Sequence, residues 1–76
     1  MDRNDIIKNF ATNLRVERAR KNYSREKLAE MADITPEYLA RIEAEKYSPS
    51  LVVIVNLAHA LEIPIDTLIT INKPNH

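Results

Sequence analysis

Seventy-six residues without a single cysteine or glycine describe one small domain held by packing alone, too short for a multi-domain enzyme and lacking thiolates for a disulfide framework or a cysteine metal site. Seven Leu, nine Ile, four Val and eight Ala against four aromatics suit a helical core, and without glycine the tight positive-φ turns of a small sheet protein are hard to build. Eleven basic and eleven acidic groups cancel, so bulk charge alone does not suggest a nucleic-acid partner, but they are unevenly placed: Met1 to Lys27 holds eight basic and four acidic, Leu28 to Asp66 two and seven, with Arg15, Arg18, Arg20, Lys21, Arg25 and Lys27 as the basic concentration.

Ile7, Phe10, Ala11, Leu14 and Arg18 recur at helical spacing and predict a first helix from about Asn4, its N-cap, to Lys21. Asn22 follows where a helix ends in the left-handed conformation, which Asn tolerates better than most residues. Ser24 caps a second helix of about eight residues, with Glu26 in its first turn and Leu28, Ala29, Met31 and Ala32 on its apolar face. Asp33 breaks it. Thr35-Pro36 then starts a third helix, reaching about Ala44, with a hydroxyl cap followed by an imino acid where no N–H is needed. Tyr47-Ser48-Pro49-Ser50 is a loop whose last serine caps the next helix. Leu51-Val52-Val53-Ile54-Val55 has the β-branched content of a buried strand, yet the apolar run continues to Leu61 without a turn signal, and eleven residues is helix length. Ile63-Pro64 ends that helix, and Pro64 opens a short fifth one through Ile65, Leu68 and Ile69. The expected fold is all-α: a compact five-helix bundle, one domain over residues 1–76, with its core within about 6–71 and residues 72–76 frayed.

The uncharged stretch from Ser48 to Leu61, broken by Asn56 and His59, is too short to cross a bilayer, and the charged start Met-Asp-Arg-Asn-Asp has no apolar run of signal length. A cytoplasmic protein without a membrane partner is expected, in which the sequon Asn22-Tyr23-Ser24 is coincidence. His59 has no second ligand at metal-binding spacing, and Ser24, Ser48 and Ser50 have no base in a recognisable motif, so neither a metal, a cofactor nor catalysis is expected.

Counting from Arg25, Ala29 stands four residues on, Asp33 eight, Leu39 fourteen and Ile42 seventeen. Ala29 is small where two helices cross, Asp33 takes the left-handed turn between them, and Leu39 and Ile42 anchor the inner face of the third helix so that its other face points outward. Around this spacing lie Phe10-x-x-x-Leu14-x-x-x-Arg18, Ser24-x-x-x-Leu28-Ala29, Ile42-Glu43, Pro49-Ser50-Leu51 and Leu57-Ala58-x-Ala60-Leu61. Together, from Phe10 to Leu68, they resemble the phage-repressor and Cro-type helix-turn-helix family, also called the XRE family, which includes restriction-modification controller proteins and many small bacterial regulators. The resemblance implies a lambda-repressor-like bundle that regulates transcription by binding double-stranded DNA, as a homodimer on a two-fold symmetric operator with the third helix in the major groove. The alternative is a protein partner, the chain serving as an antitoxin or antirepressor component, because Glu30, Asp33, Glu37, Glu43 and Glu45 make this region acidic.

Position by position, the resemblance sets Pro36, Glu37, Ala40 and Arg41 against the bases, Glu37 accepting from cytosine N4 and Arg41 gripping guanine O6 and N7. Arg25, where family members usually have Gln, is implied to reach a phosphate, as are Lys46 and the Tyr47 hydroxyl, and Arg25→Ala would then weaken all DNA sequences alike. Arg18 and Glu43 correspond to a buried ion pair beneath the reading helix. Asn22, Asp33, Glu45 and Glu62 occupy positions where the family often has glycine. Val52, Val53 and Val55 cover more of the fourth helix than one core can, and Ile65, Ile69 and Ile71 add apolar surface, so Val52, Val55, Ile65, Ile69 and Ile71 are the expected dimer interface.

Overall fold

Side-chain oxygens start four of the helices by accepting a backbone N–H three residues on, the geometry that satisfies an orphan donor of the first turn. Asp2 accepts from Asp5 at 2.9 Å, Ser24 from Lys27 at 3.0 Å, Thr35 from Tyr38 at 3.1 Å and Ser50 from Val53 at 3.2 Å. The structure, a computed structural model, describes residues 1–71, and the expectation for 72–76 lies outside them. Its elements are α1 (Arg3–Lys21), α2 (Arg25–Met31), α3 (Pro36–Glu43), α4 (Leu51–Leu61) and α5 (Ile65–Ile69), with no strand among the described residues. Asp2, not Asn4, caps α1; a carboxylate there also meets the positive end of the helix dipole. The β-branched run resolves as helix, and Pro64 precedes α5 as its N-cap residue without a side-chain bond.

Asn22, Asp33, Glu45 and Glu62 all hold positive φ, between 58° and 65°. Each closes the same device: the N–H of the next residue reaches a carbonyl five back, Tyr23 to Arg18, Ile34 to Ala29, Lys46 to Arg41 and Ile63 to Ala58, at 2.9–3.2 Å. This is the Schellman closure, usually completed by an apolar side chain in that following position. Tyr23, Ile34 and Ile63 do pack on the core. Lys46 is the exception, exposed in the loop after α3. Because a glutamate held left-handed carries a cost of about 1 kcal/mol that glycine lacks, Glu45→Gly is expected to raise the calorimetric midpoint by about 4–8 °C; no rise would show that the Glu45 side chain makes an offsetting interaction.

Leu14, Leu28, Leu39, Ile42, Leu57, Leu61 and Leu68 are fully buried, and Phe10, Ala29, Ala32 and Ala58 fill the space between them. Met31, expected on the apolar face of α2, is instead exposed. Leu28, Ala29 and Ala32 centre the buried face, and at 3.6 residues per turn Met31 falls roughly 100° away from it. A buried polar side chain also emerges that periodicity did not flag: Asn13 donates Nδ2 to the carbonyls of Leu68 at 2.8 Å and Thr70 at 3.0 Å, fastening α5 to α1. Asn9 adds a bond to the Thr70 carbonyl. Leu51 and Val52 are 72% and 67% exposed, and Val55, Ile65 and Ile69 are exposed as well, whereas Val53 and Ile71 are half-buried. Among the described residues, no helix is long and apolar enough to cross a membrane.

Candidate nucleic-acid interface

Residues 32–35 join α2 to α3, and the left-handed Asp33 between them sets the angle at which the two helices leave each other. Ala29 and Leu28 on one side and Leu39 and Ile42 on the other are buried, so α3 is fixed with a definite outer face. Glu37 and Arg41 stand exposed on that face, one turn apart, flanked by the half-buried Pro36 and Ala40. The four residues expected against the bases thus share one surface. The Arg41 guanidinium carbon lies 5.6 Å from the centroid of the Tyr47 ring, which in turn sits 5.7 Å from the Tyr38 ring. A cation over an aromatic face is held by the ring quadrupole, a modest attraction where exposed, and here it keeps Arg41 close to α3.

The other end of α3 is held from inside. The Glu43 carboxylate, 1% exposed, receives Arg18 as a fork, Nε to Oε2 at 2.7 Å and Nη2 to Oε1 at 3.1 Å. Arg18 also donates Nη1 to the Tyr23 carbonyl at 3.0 Å, tying the end of α1 to the same network. The expected pair is therefore brought together, but it is not alone. Arg25 donates Nε to Glu43 Oε1 at 2.8 Å, and Arg15 donates Nη1 to the Glu43 carbonyl. Nothing in the spacing of α2 signals the Arg25 contact, which depends on how α2 crosses α3. Arg15 was detectable in principle: it stands one turn before Arg18, so a group that meets one lies within reach of the other. With three guanidiniums on one carboxylate and one carbonyl, positive charge is in surplus here. The surrounding Glu30, Asp33, Glu37 and Glu45 are exposed, as are Arg41 and Lys46, giving the face alternating rather than uniform charge.

Among the described residues no group of three or more His, Cys, Asp or Glu gathers as a metal site, and His59 is exposed on α4.

Two short helices set by a left-handed turn, the second presenting the polar Glu37 and Arg41 outward, define a helix-turn-helix DNA-binding module. Residues 14–68 match the family model described as helix-turn-helix, and the chain belongs to the XRE-type branch of that family, a class of DNA-binding transcription regulators. Among solved structures, the restriction-modification controller protein C.AhdI from Aeromonas hydrophila is similar with a TM-score of 0.84 and 32% identity, covering 90% of this chain and 99% of that one. The hypothetical transcription factor NHTF from Neisseria follows at 0.83 and 28% identity, over 90% and 76% of the two chains. The clp gene regulator ClgR from Corynebacterium glutamicum gives 0.79 and 29%, over 84% and 69%. No curated protein sequence matches the chain significantly.

Proposed function

We propose that the protein regulates transcription from the cytoplasm as a homodimer on a two-fold symmetric operator, each protomer laying α3 in the major groove, and that it acts by binding alone. The outward row of Pro36, Glu37, Ala40 and Arg41 on a helix locked from within by Leu39, Ile42 and Glu43 carries this reading. Arg41 offers a planar fork that matches guanine O6 and N7, and Glu37 an acceptor for cytosine N4. Lys46, displaced from the core position that its Schellman closure usually fills, and the Tyr47 hydroxyl supply phosphate contacts beside them, with Arg25 from the start of α2.

Selection of bound sequences from random DNA gives the operator. On it, Glu37→Ala and Arg41→Ala are each expected to lose about 1–3 kcal/mol and to relax preference at a single base position. Unchanged ranking of operator variants in both mutants would overturn this orientation of α3. Stoichiometric capture of a protein partner without DNA is what an antitoxin or antirepressor component would show instead.

The exposed Val52, Val55, Ile65 and Ile69, with Leu51, support the dimer: these apolar side chains of α4 and α5 are covered by a second copy, and symmetry then spaces two reading helices one or more DNA turns apart, about 10–10.5 bp per turn. Ile71, half-buried, borders that face. Sedimentation at tens of micromolar is expected to show a dimer that Val52→Asp shifts to monomer. A monomer alone, with and without operator, would refute it.

A further inference from the structure

A plain phosphate contact needs only a mobile positive charge, and Arg25 is more constrained than that. Its Nε donates to Glu43 Oε1 at 2.8 Å, and that carboxylate is 1% exposed and already gripped by Arg18, so it holds Arg25 from a fixed point on α3. The Arg25 side chain is nevertheless 50% exposed. A guanidinium has five N–H donors in a rigid plane, and among the described residues the only hydrogen bond Arg25 makes with its side chain uses Nε. The donors on Nη1 and Nη2 are open to a second partner, and the surplus of guanidinium over carboxylate around Glu43 favours an anionic one.

We propose that Arg25 is a positioning residue for base readout: one edge of its guanidinium holds the end of α3 through Glu43 while the other edge takes a DNA backbone phosphate, so that the placement of Glu37 and Arg41 over the bases is referenced to the backbone. This rests on the reading of α3 as the groove helix. The two partners use different donors, so the phosphate need not displace Glu43. Lysine cannot serve in the same way, since its ammonium is a compact point charge on a flexible stem without the planar two-edged fork. The contact therefore carries sequence preference, and is not the uniform phosphate contact implied by resemblance.

The test measures affinity for the selected operator, for operators mismatched at the Glu37 and Arg41 base positions and for random duplex, each over a range of salt, in the parent, Arg25→Lys and Arg25→Ala proteins. Arg25→Lys is expected to keep the salt slope while its operator-to-mismatch ratio falls about tenfold, a partial loss of the discrimination that base contacts supply. Arg25→Ala is expected to lose the same ratio and also to flatten the slope by about one unit. Ratios on a single preparation do not depend on its folded fraction, so a destabilised variant still reports. An Arg25→Lys ratio within about threefold of the parent, with the parent preferring its operator, overturns the positioning role alone. A parent without operator preference overturns the groove reading and this inference together.

Discussion

Glu43→Gln is expected to lower the unfolding free energy by about 3–5 kcal/mol, because removing one member of a desolvated ionic network strands the others. Two guanidiniums lose their anion at once: Arg18, whose side chain is only 20% exposed, and Arg25, which is half-exposed. Arg25 can rehydrate and Arg18 largely cannot. A domain of this size has a total stability of roughly 4–11 kcal/mol, so the single change takes a large share of it. Arg18→Met should cost less than Glu43→Gln, since Arg25 still meets the carboxylate at 2.8 Å. The double variant Arg18→Met with Glu43→Leu is expected to recover much of the loss, because attraction between buried ions barely exceeds the penalty of desolvating them. Urea denaturation of the three variants checks this order. Single variants within about half a kcal/mol of the parent would place the network among solvent-screened surface bridges, worth about 0–1 kcal/mol.

Leu39→Ala is expected to cost about 2–5 kcal/mol through lost transfer energy and the cavity left behind, and to damage DNA reading beyond its effect on stability. Leu39 is fully buried on the inner face of α3, so the cavity opens directly under Glu37 and Arg41. Leu61→Ala removes an equally buried leucine from α4 and is expected to cost similar stability while leaving operator ranking intact in the folded molecules. Equal effects of the two on ranking would mean that α3 is not held by its own core contacts.

Much of the fold was legible because its signals are local. Thr35-Pro36 and Ser50 mark helix starts by chemistry confined to one turn, and both starts stand where expected. The strand-like composition of Leu51 to Val55 was settled by length, since a run uninterrupted to Leu61 suits a helix and the structure has it so. Asp2 and Asn4 are both good caps for α1, and only the backbone decides between them, in favour of Asp2. Met31 stands outside the buried face of α2, and a seven-residue helix is too short for periodicity to fix its buried centre. Asn13 and Arg25 illustrate the remaining gap. A buried amide is satisfied by carbonyls of Leu68 in α5 and Thr70 just after it, more than fifty residues away, and a surface arginine is drawn to a carboxylate across a helix crossing. Such partners are set by tertiary geometry, to which hydrophobic patterning is blind. The exposed row on α3 was legible as residue positions, while the cradle that aims it was visible only in its Arg18–Glu43 half.

The amide of Asn13 has a mechanical consequence. Between Asn13 and Arg18, α1 grips both surfaces to which the proposal gives a role: Asn13 takes the end of α5, and Arg15 and Arg18 take the end of α3. These anchors span five residue steps, about 7.5 Å of helix rise, within a nineteen-residue helix, so the offset between the apolar face and α3 is built in as a short, fixed gauge length. In the proposed two-fold pair, that offset and its rotated copy would measure the DNA like the jaws of a caliper. Inserting one base pair between half-sites would turn the second site by about 34–36° around the duplex axis, and an offset fixed within one stretch of α1 has no joint with which to follow.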